Sequence, residues 1–251
     1  MRLKDKVAVV TGAAQGFGLG IAQRFVEEGA KVLVVDLQGE KAEAAAEGLS
    51  GPGSALGHGA DVADRGAVEA MLERAESALG PVDILVNNAG VTHLPMPMEE
   101  VTESDFDRIF AVNIKAIYLA SQLLVPRLKT RGQGGAIVNV SSTAGISPRP
   151  NLTWYNASKG WVNTATESMA VELAPAGIRV NAICPVAGET PLLQSFMGQD
   201  TPEIRAKFLS TIPMGRFTTP KDIGDAAVFL ASEEAGMVTG QCMKVDGGRC
   251  I

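Results

Sequence analysis

A doubly wound α/β domain with a seven-stranded parallel sheet is the fold predicted for these 251 residues, and three observations predict it. Short β-branched runs alternate with longer amphipathic segments from one end of the chain to the other, the pattern of successive βαβ units. Most of those runs are apolar on both faces, as strands must be when helices cover the sheet on each side. A glycine-rich turn joins the first run to the first amphipathic segment.

In chain order, the β-branched runs place strands at residues 7–11, 32–36, 55–61, 84–87, 136–141, 179–184 and 242–245. The amphipathic segments between them place helices at 18–28, 40–48, 64–79, 104–129, 153–173 and 220–231. Ile21, Ala22 and Phe25 mark the buried face of the first helix. Thr219, followed by Pro220 and then Asp222, is an N-cap with proline at the first helical position and starts the last helix. Residues 190–215 interrupt the alternation after the sixth strand. That segment contains Pro191, Pro202 and Pro213, and is expected to form a mobile lid over the substrate. One domain, residues 1–251, accounts for the whole chain.

Composition narrows the partners. The chain is 46% hydrophobic and 20% charged, with a formal net charge of −6 and no basic run, so nucleic acid is not an expected partner. Met1 to Lys6 meets charge before any apolar stretch, and no segment approaches the roughly 18 consecutive apolar residues of a membrane span. A cytoplasmic protein without a membrane partner is expected. Cys184, Cys242 and Cys250 form no Cys-x-x-Cys pair, and with only His58 and His93 in the chain no metal site is expected.

The turn Thr11-Gly12-Ala13-Ala14-Gln15-Gly16-Phe17-Gly18 follows a strand and opens into a helix. In that position backbone N–H groups and the helix N-terminus can approach a pyrophosphate. Asp36, ending the second strand, stands where an acid accepts hydrogen bonds from the adenosine ribose and repels a 2'-phosphate. Neither Gln15 nor Leu37 is basic, so NAD is favoured over NADP. Asp61 and Val62 are placed to contact adenine, and Asn87-Asn88-Ala89-Gly90 to brace the cofactor floor.

Tyr155 and Lys159 lie one helical turn apart, so both side chains share a face where an ammonium can stabilise a phenolate. Such a phenolate serves as the base that takes a hydroxyl proton while hydride leaves carbon. Ser142, at the end of the fifth strand, can hydrogen-bond the substrate oxygen as charge develops there. Tyr118, the only other tyrosine, has no matching lysine and reads as packing.

Taken together, residues 11–18, Asn87 to Gly90, Ser142 and Tyr155-Asn156-Ala157-Ser158-Lys159 resemble the ordered motif set of the short-chain dehydrogenase/reductase family. The resemblance covers essentially the whole chain. It implies a Rossmann-like, NAD-dependent oxidoreductase acting on a small alcohol or carbonyl substrate, with Asn113, Ser142, Tyr155 and Lys159 as the catalytic set. Asn113 would act through backbone distortion and a held water that connects Lys159 to solvent. Phe17 stands where isoleucine is commoner in the family. After the sixth strand, Pro185-Val186-Ala187-Gly188-Glu189-Thr190 replaces the usual Pro-Gly-x-Val-x-Thr, which leaves Thr190 and the Gly188 backbone as contacts to the nicotinamide carboxamide. This variant, with the long Thr190 to Gly215 segment and the ending Asp246-Gly247-Gly248-Arg249-Cys250-Ile251, is similar to a branch of the family named variously glucose dehydrogenase-like, 3-oxoacyl-carrier-protein reductase-like and 4-formylbenzenesulfonate dehydrogenase-like. The family also implies a homotetramer built on the helices at 104–129 and 153–173.

Residues expected to face the substrate are His93, Arg149, Trp154, Leu192, Phe196 and Met197, with Arg149 a candidate partner for an anionic group. The competing readings are a noncatalytic NAD-binding regulator or scaffold on the same fold and a nucleotide-sugar epimerase. Intact Ser142, Tyr155 and Lys159 weigh against the first, and the lack of a longer carboxyl-terminal substrate domain against the second.

Overall fold

Strands β1 (Val7–Thr11), β2 (Lys31–Asp36), β3 (Ser54–Gly59), β4 (Ile84–Asn87), β5 (Gly135–Val140), β6 (Ile178–Pro185) and β7 (Cys242–Val245) form one parallel sheet. Their order is β3-β2-β1-β4-β5-β6-β7. Chain direction across the sheet reverses between β1 and β4, and a crevice opens there at the carboxyl ends of the strands. The computed structural model describes residues 1–198 and 201–251. Gln199 and Asp200, part of the expected lid segment, lie outside the described residues.

Alternation along each strand feeds two separate cores. Ala8, Val10, Val34 and Val138 point to the layer of α1 (Gly16–Glu27) and α9 (Pro220–Ala231), where Ile21, Phe25, Ile223 and Val228 are buried. Val9, Leu33, Leu85 and Ile137 point the other way, onto Met71 and Leu72 of α3 (Arg65–Leu79) and Leu124 and Leu128 of α5 (Ala116–Arg131). This is why the runs are apolar on both faces. Gly20 and Gly224 bring α1 and α9 into backbone contact: a Cβ at Gly20 would stand 2.5 Å from Pro220, and one at Gly224 2.6 Å from the Gly20 carbonyl.

Three expectations are corrected, for the third strand, the helix at 104–129 and Tyr118. The third strand stops at Gly59 instead of Asp61, and it is half-exposed because it is an edge strand. The expected helix at 104–129 is three pieces: α4 (Glu103–Phe110), a π turn at Ala111–Lys115, and α5. Together they run from Glu103 to Arg131, a helix long and apolar enough by length and composition to cross a membrane, although it contains no run of about 18 consecutive apolar residues. Tyr118, expected to pack, is 53% exposed on α5. The 190–215 segment carries helices α7 (Leu193–Met197) and α8 (Pro202–Leu209), and Leu193, Ile212, Phe217 and Val186 form a small core of their own. The remaining helices are α2 (Gly39–Gly48) and α6 (Thr153–Leu173).

Candidate active site

The glycine turn is shaped for close approach. Gly12 has φ +60°, and a Cβ there would meet Ala89 Cα at 2.8 Å. Gly16, with φ +58°, opens α1. Gln15, the N-cap of α1, makes no side-chain capping bond, whereas Thr219 and Asp222 close the N-terminus of α9 with a full capping box. The first amide groups of α1 are thus left to a ligand, as a pyrophosphate cradle requires. Gly18 faces inward: a Cβ there would stand 2.3 Å from the Gly12 carbonyl, so this glycine permits helix and turn to pack rather than touching the cleft.

Asn88 ties the turn to β4, its Nδ2 donating to the carbonyls of Thr11 (2.8 Å) and Gly12 (2.9 Å). Thr11 Oγ1 accepts from the amides of Asn88 and Ala89. Asp36 accepts from the amides of Ala14 (3.3 Å) and Gln38 (3.2 Å), so its carboxylate is fixed at the rim. A cleft of about 480 Å³ runs over these groups and includes Gly12, Gln15, Gly16, Phe17, Asp36, Leu37, Asp61, Val62, Asn88, Ala89 and Gly90 in its lining. Its shape and donors fit a dinucleotide.

The same cleft reaches Ser142, Tyr155, Lys159, Gly188 and Thr190. Helix α6 changes character along one face. Its first turns bury Tyr155, Asn156, Ser158 and Lys159, and its later turns bury Val162, Ala170 and Leu173. Ser141 Oγ donates to the Lys159 carbonyl at 3.1 Å, pinning the helix to the end of β5. Burial pushes the Tyr155 phenol up to about 12, opposed by a hydrogen bond with Ser142 and by the charge of Arg149. Burial also holds the Lys159 ammonium down to about 8. Lys159 Nζ donates to the Val140 carbonyl at 2.9 Å and lies 5.9 Å from the centre of the Tyr155 ring.

Asn113 falls in the π turn, a distortion that frees backbone groups from the regular helical ladder. Its side chain is fully engaged: Nδ2 donates to Val91 O (2.9 Å) and Ser158 Oγ (3.0 Å), and Oδ1 accepts from Val91 N (2.8 Å). Asn113 therefore holds the loop after β4 against α6, and no bond joins its side chain to Lys159 among the described residues. A buried polar chain runs from Asn87 to Asn139 (2.9 Å) on the neighbouring strand, as expected of the Asn87–Gly90 stretch, and on to Thr166 (2.9 Å); Asn139 and Thr166 are not singled out in the sequence. A single asparagine in an apolar strand run gives no periodic signal.

On the substrate side the expectations divide. Arg149, Leu192 and Phe196 line the cleft. His93 does not: it is 2% exposed and its Nδ1 is 2.7 Å from the Leu94 carbonyl, because the loop after β4 turns it into the protein. Trp154 is turned away as well, its indole N–H bonded to Met98 O and its ring edge-on to Phe106. Met197 packs against the small core beneath the lid segment. In their place stands Phe208 of α8, which no local motif singles out. Arg149 lies over the rings of Phe208 (4.9 Å) and Phe196 (5.8 Å). Burial, together with the nearby charge of Arg249, lowers the proton affinity of Arg149.

The two departures in the motifs are packed to match. Val186 is buried in the small core with Leu193, Ile212 and Phe217. Phe17 lies against Gly188 so closely that a Cβ on Gly188 would stand 2.3 Å from its ring.

Comparison with known proteins follows the same lines. A family model described as enoyl-(acyl carrier protein) reductase matches residues 12–249. The 4-formylbenzenesulfonate dehydrogenase of Comamonas testosteroni is 47% identical over all of both chains. The 3-oxoacyl-[acyl-carrier-protein] reductase of Thermotoga maritima is 39% identical, again over all of both. The crystal structure of 3-ketoacyl-(acyl-carrier-protein) reductase from Brucella melitensis, complexed with NADH, superposes with a TM-score of 0.92. It shares 48% identity and covers 99% of this chain and 100% of its own.

Proposed function

This chain belongs to the short-chain dehydrogenase/reductase family and is an NAD-dependent oxidoreductase acting on alcohol or carbonyl groups, and we propose that Tyr155 is its general acid/base. The observation that carries the reading is the meeting of Ser142, Tyr155 and Lys159 at one end of the cleft whose other end is the glycine turn and Asp36.

NAD, when bound, supplies the hydride acceptor and a positive ring charge. Gly12, Gln15, Gly16, Phe17 and the amides opening α1 hold its phosphates, and Asp36 and Leu37 hold the ribose. The Asp36 carboxylate disfavours a second phosphate there by like-charge repulsion. Asp61 and Val62 flank the adenine, and Gly188 and Thr190 the carboxamide. Ser142 orients the substrate oxygen, and Tyr155 takes its proton in oxidation and returns it in reduction. Lys159 supplies positive charge behind the phenol, which must fall from about 12 for this work. Asn113 keeps the π turn and the β4 loop in place beside Lys159.

The relatives' names differ in substrate, so no single substrate is carried over. The small substrate body is expected to lie against Leu192, Phe196 and Phe208. A cytoplasmic homotetramer is the proposed form. Phe106, Phe110, Tyr118, Trp161 and Val171 support it, because all are exposed on α4, α5 and α6. Tyr155→Phe tests the mechanism: kcat is expected to fall by about 10²- to 10⁴-fold with NAD affinity retained. Turnover at the parent rate, with fold and coenzyme affinity intact, rejects it.

A further inference from the structure

Arg149 and Arg249 come from distant parts of the chain and converge on one ring. Arg149 lies on the loop after β5, and Arg249 on the tail after β7. Their guanidinium carbons stand 4.9 Å and 5.6 Å from the centre of the Phe208 ring. Neither side chain pairs with a carboxylate among the described residues. The acid closest in sequence to Arg249, Asp246, is buried and occupied, its two oxygens accepting from the amides of Gly248 (3.0 Å) and Cys250 (2.9 Å). Those bonds fold the tail and so place Arg249.

Two unpaired guanidinium groups held near each other repel, and partial burial strengthens the repulsion. The aromatic ring offsets only part of it. An oxyanion between them removes the conflict, because each guanidinium offers a planar fork of donors. Arg149 is placed for substrate, since it lines the cleft and lies over Phe196, whose ring is 5.1 Å from that of Tyr155, and Arg249 joins it through Phe208, which lines the same cleft. An anion at the arginines thus sits about one aromatic ring away from the acid/base.

We propose that Arg149 and Arg249, seated on Phe208, form an anion-binding subsite, and that the substrate carries a carboxylate or sulfonate remote from its reacting carbon. This rests on the hydride-transfer reading above and narrows it. Arg249 is the new element, since it comes to the Phe208 ring from the tail after β7 and is not among the residues expected to face the substrate.

The test is calorimetric titration of the NAD-saturated protein with benzoate, benzenesulfonate and benzamide, the last a neutral isostere of benzoate. Both anions are expected to bind at least about tenfold more tightly than benzamide. Arg149→Met and Arg249→Met should each weaken the anions by about tenfold or more and leave benzamide unchanged, with Arg249→Lys recovering part of the loss. Equal affinity for benzoate and benzamide, absence of anion binding, or indifference to Arg249→Met overturns the proposal. A preceding NAD titration on the same samples reads the cofactor site separately. Failure there, or full turnover by Tyr155→Phe, strikes the hydride-transfer reading instead.

Discussion

Lys159 is 5% exposed, and its ammonium rests on one backbone carbonyl. Burial lowers it from 10.5 to about 8, so between these pH values the unfolded chain binds a proton that the folded chain has lost. Stability therefore rises with pH across this window, and the penalty for the buried charge is fully present below its lower edge. The penalty is about 3 kcal/mol. Lys159→Met removes the titration, so the melting-temperature difference between variant and parent is expected to change steadily from about pH 8 to about pH 10.5, in the parent's favour. Calorimetric melts in the absence of NAD check this; a difference constant with pH overturns the linkage. The same burial keeps an ammonium close to Tyr155, where catalysis needs positive charge, so the strain serves the site.

At the level of elements, the loop after β6 and the first turn of α1 form one unit through Phe17 and Gly188. The Phe17 ring occupies the space that a side chain at position 188 would need, and the Thr218 carbonyl, 2.6 Å from the same point, closes the other side. Gly188→Ala is expected to lower kcat/KM by at least about tenfold by displacing the backbone beside Thr190. Phe17→Ala in the same chain should restore part of the loss, leaving the Thr218 clash, with a coupling of about 0.5–3 kcal/mol in a double-mutant cycle. Strict additivity of the two substitutions in steady-state kinetics removes the coupling. The π turn at Ala111–Lys115 is a second device of this scale. Hydrophobic periodicity spans it without a break, because one widened turn shifts the apolar stripe too little to register in the pattern. A pattern reading therefore runs one uninterrupted helix through it.

At the level of the whole molecule, the apolar residues exposed on α4, α5 and α6 lie away from the sheet and from the cleft. The Glu103–Arg131 run combines a buried face with this exposed one, which gives it a composition that also suits a membrane span. A tetramer covering that surface predicts a light-scattering mass near four times the 26.2 kDa chain. A mass equal to one chain removes the prediction.

The amino-acid sequence alone determined the strand and helix alternation, the glycine turn, the acid at the end of β2 and the Tyr155–Lys159 pair. Each is a local property: side-chain period, backbone freedom, or spacing along one helix face. Tertiary structure alone decided which distant residues meet. It buried His93, turned Trp154 away from the cleft onto Met98 and Phe106, brought Phe208 into the cleft and set Arg249 and Arg149 against one ring. The reason is that all seven strands run parallel, so the segments that follow them, far apart in sequence, leave the sheet at one carboxyl edge. Side-chain directions in those loops follow packing against neighbours that no local pattern encodes.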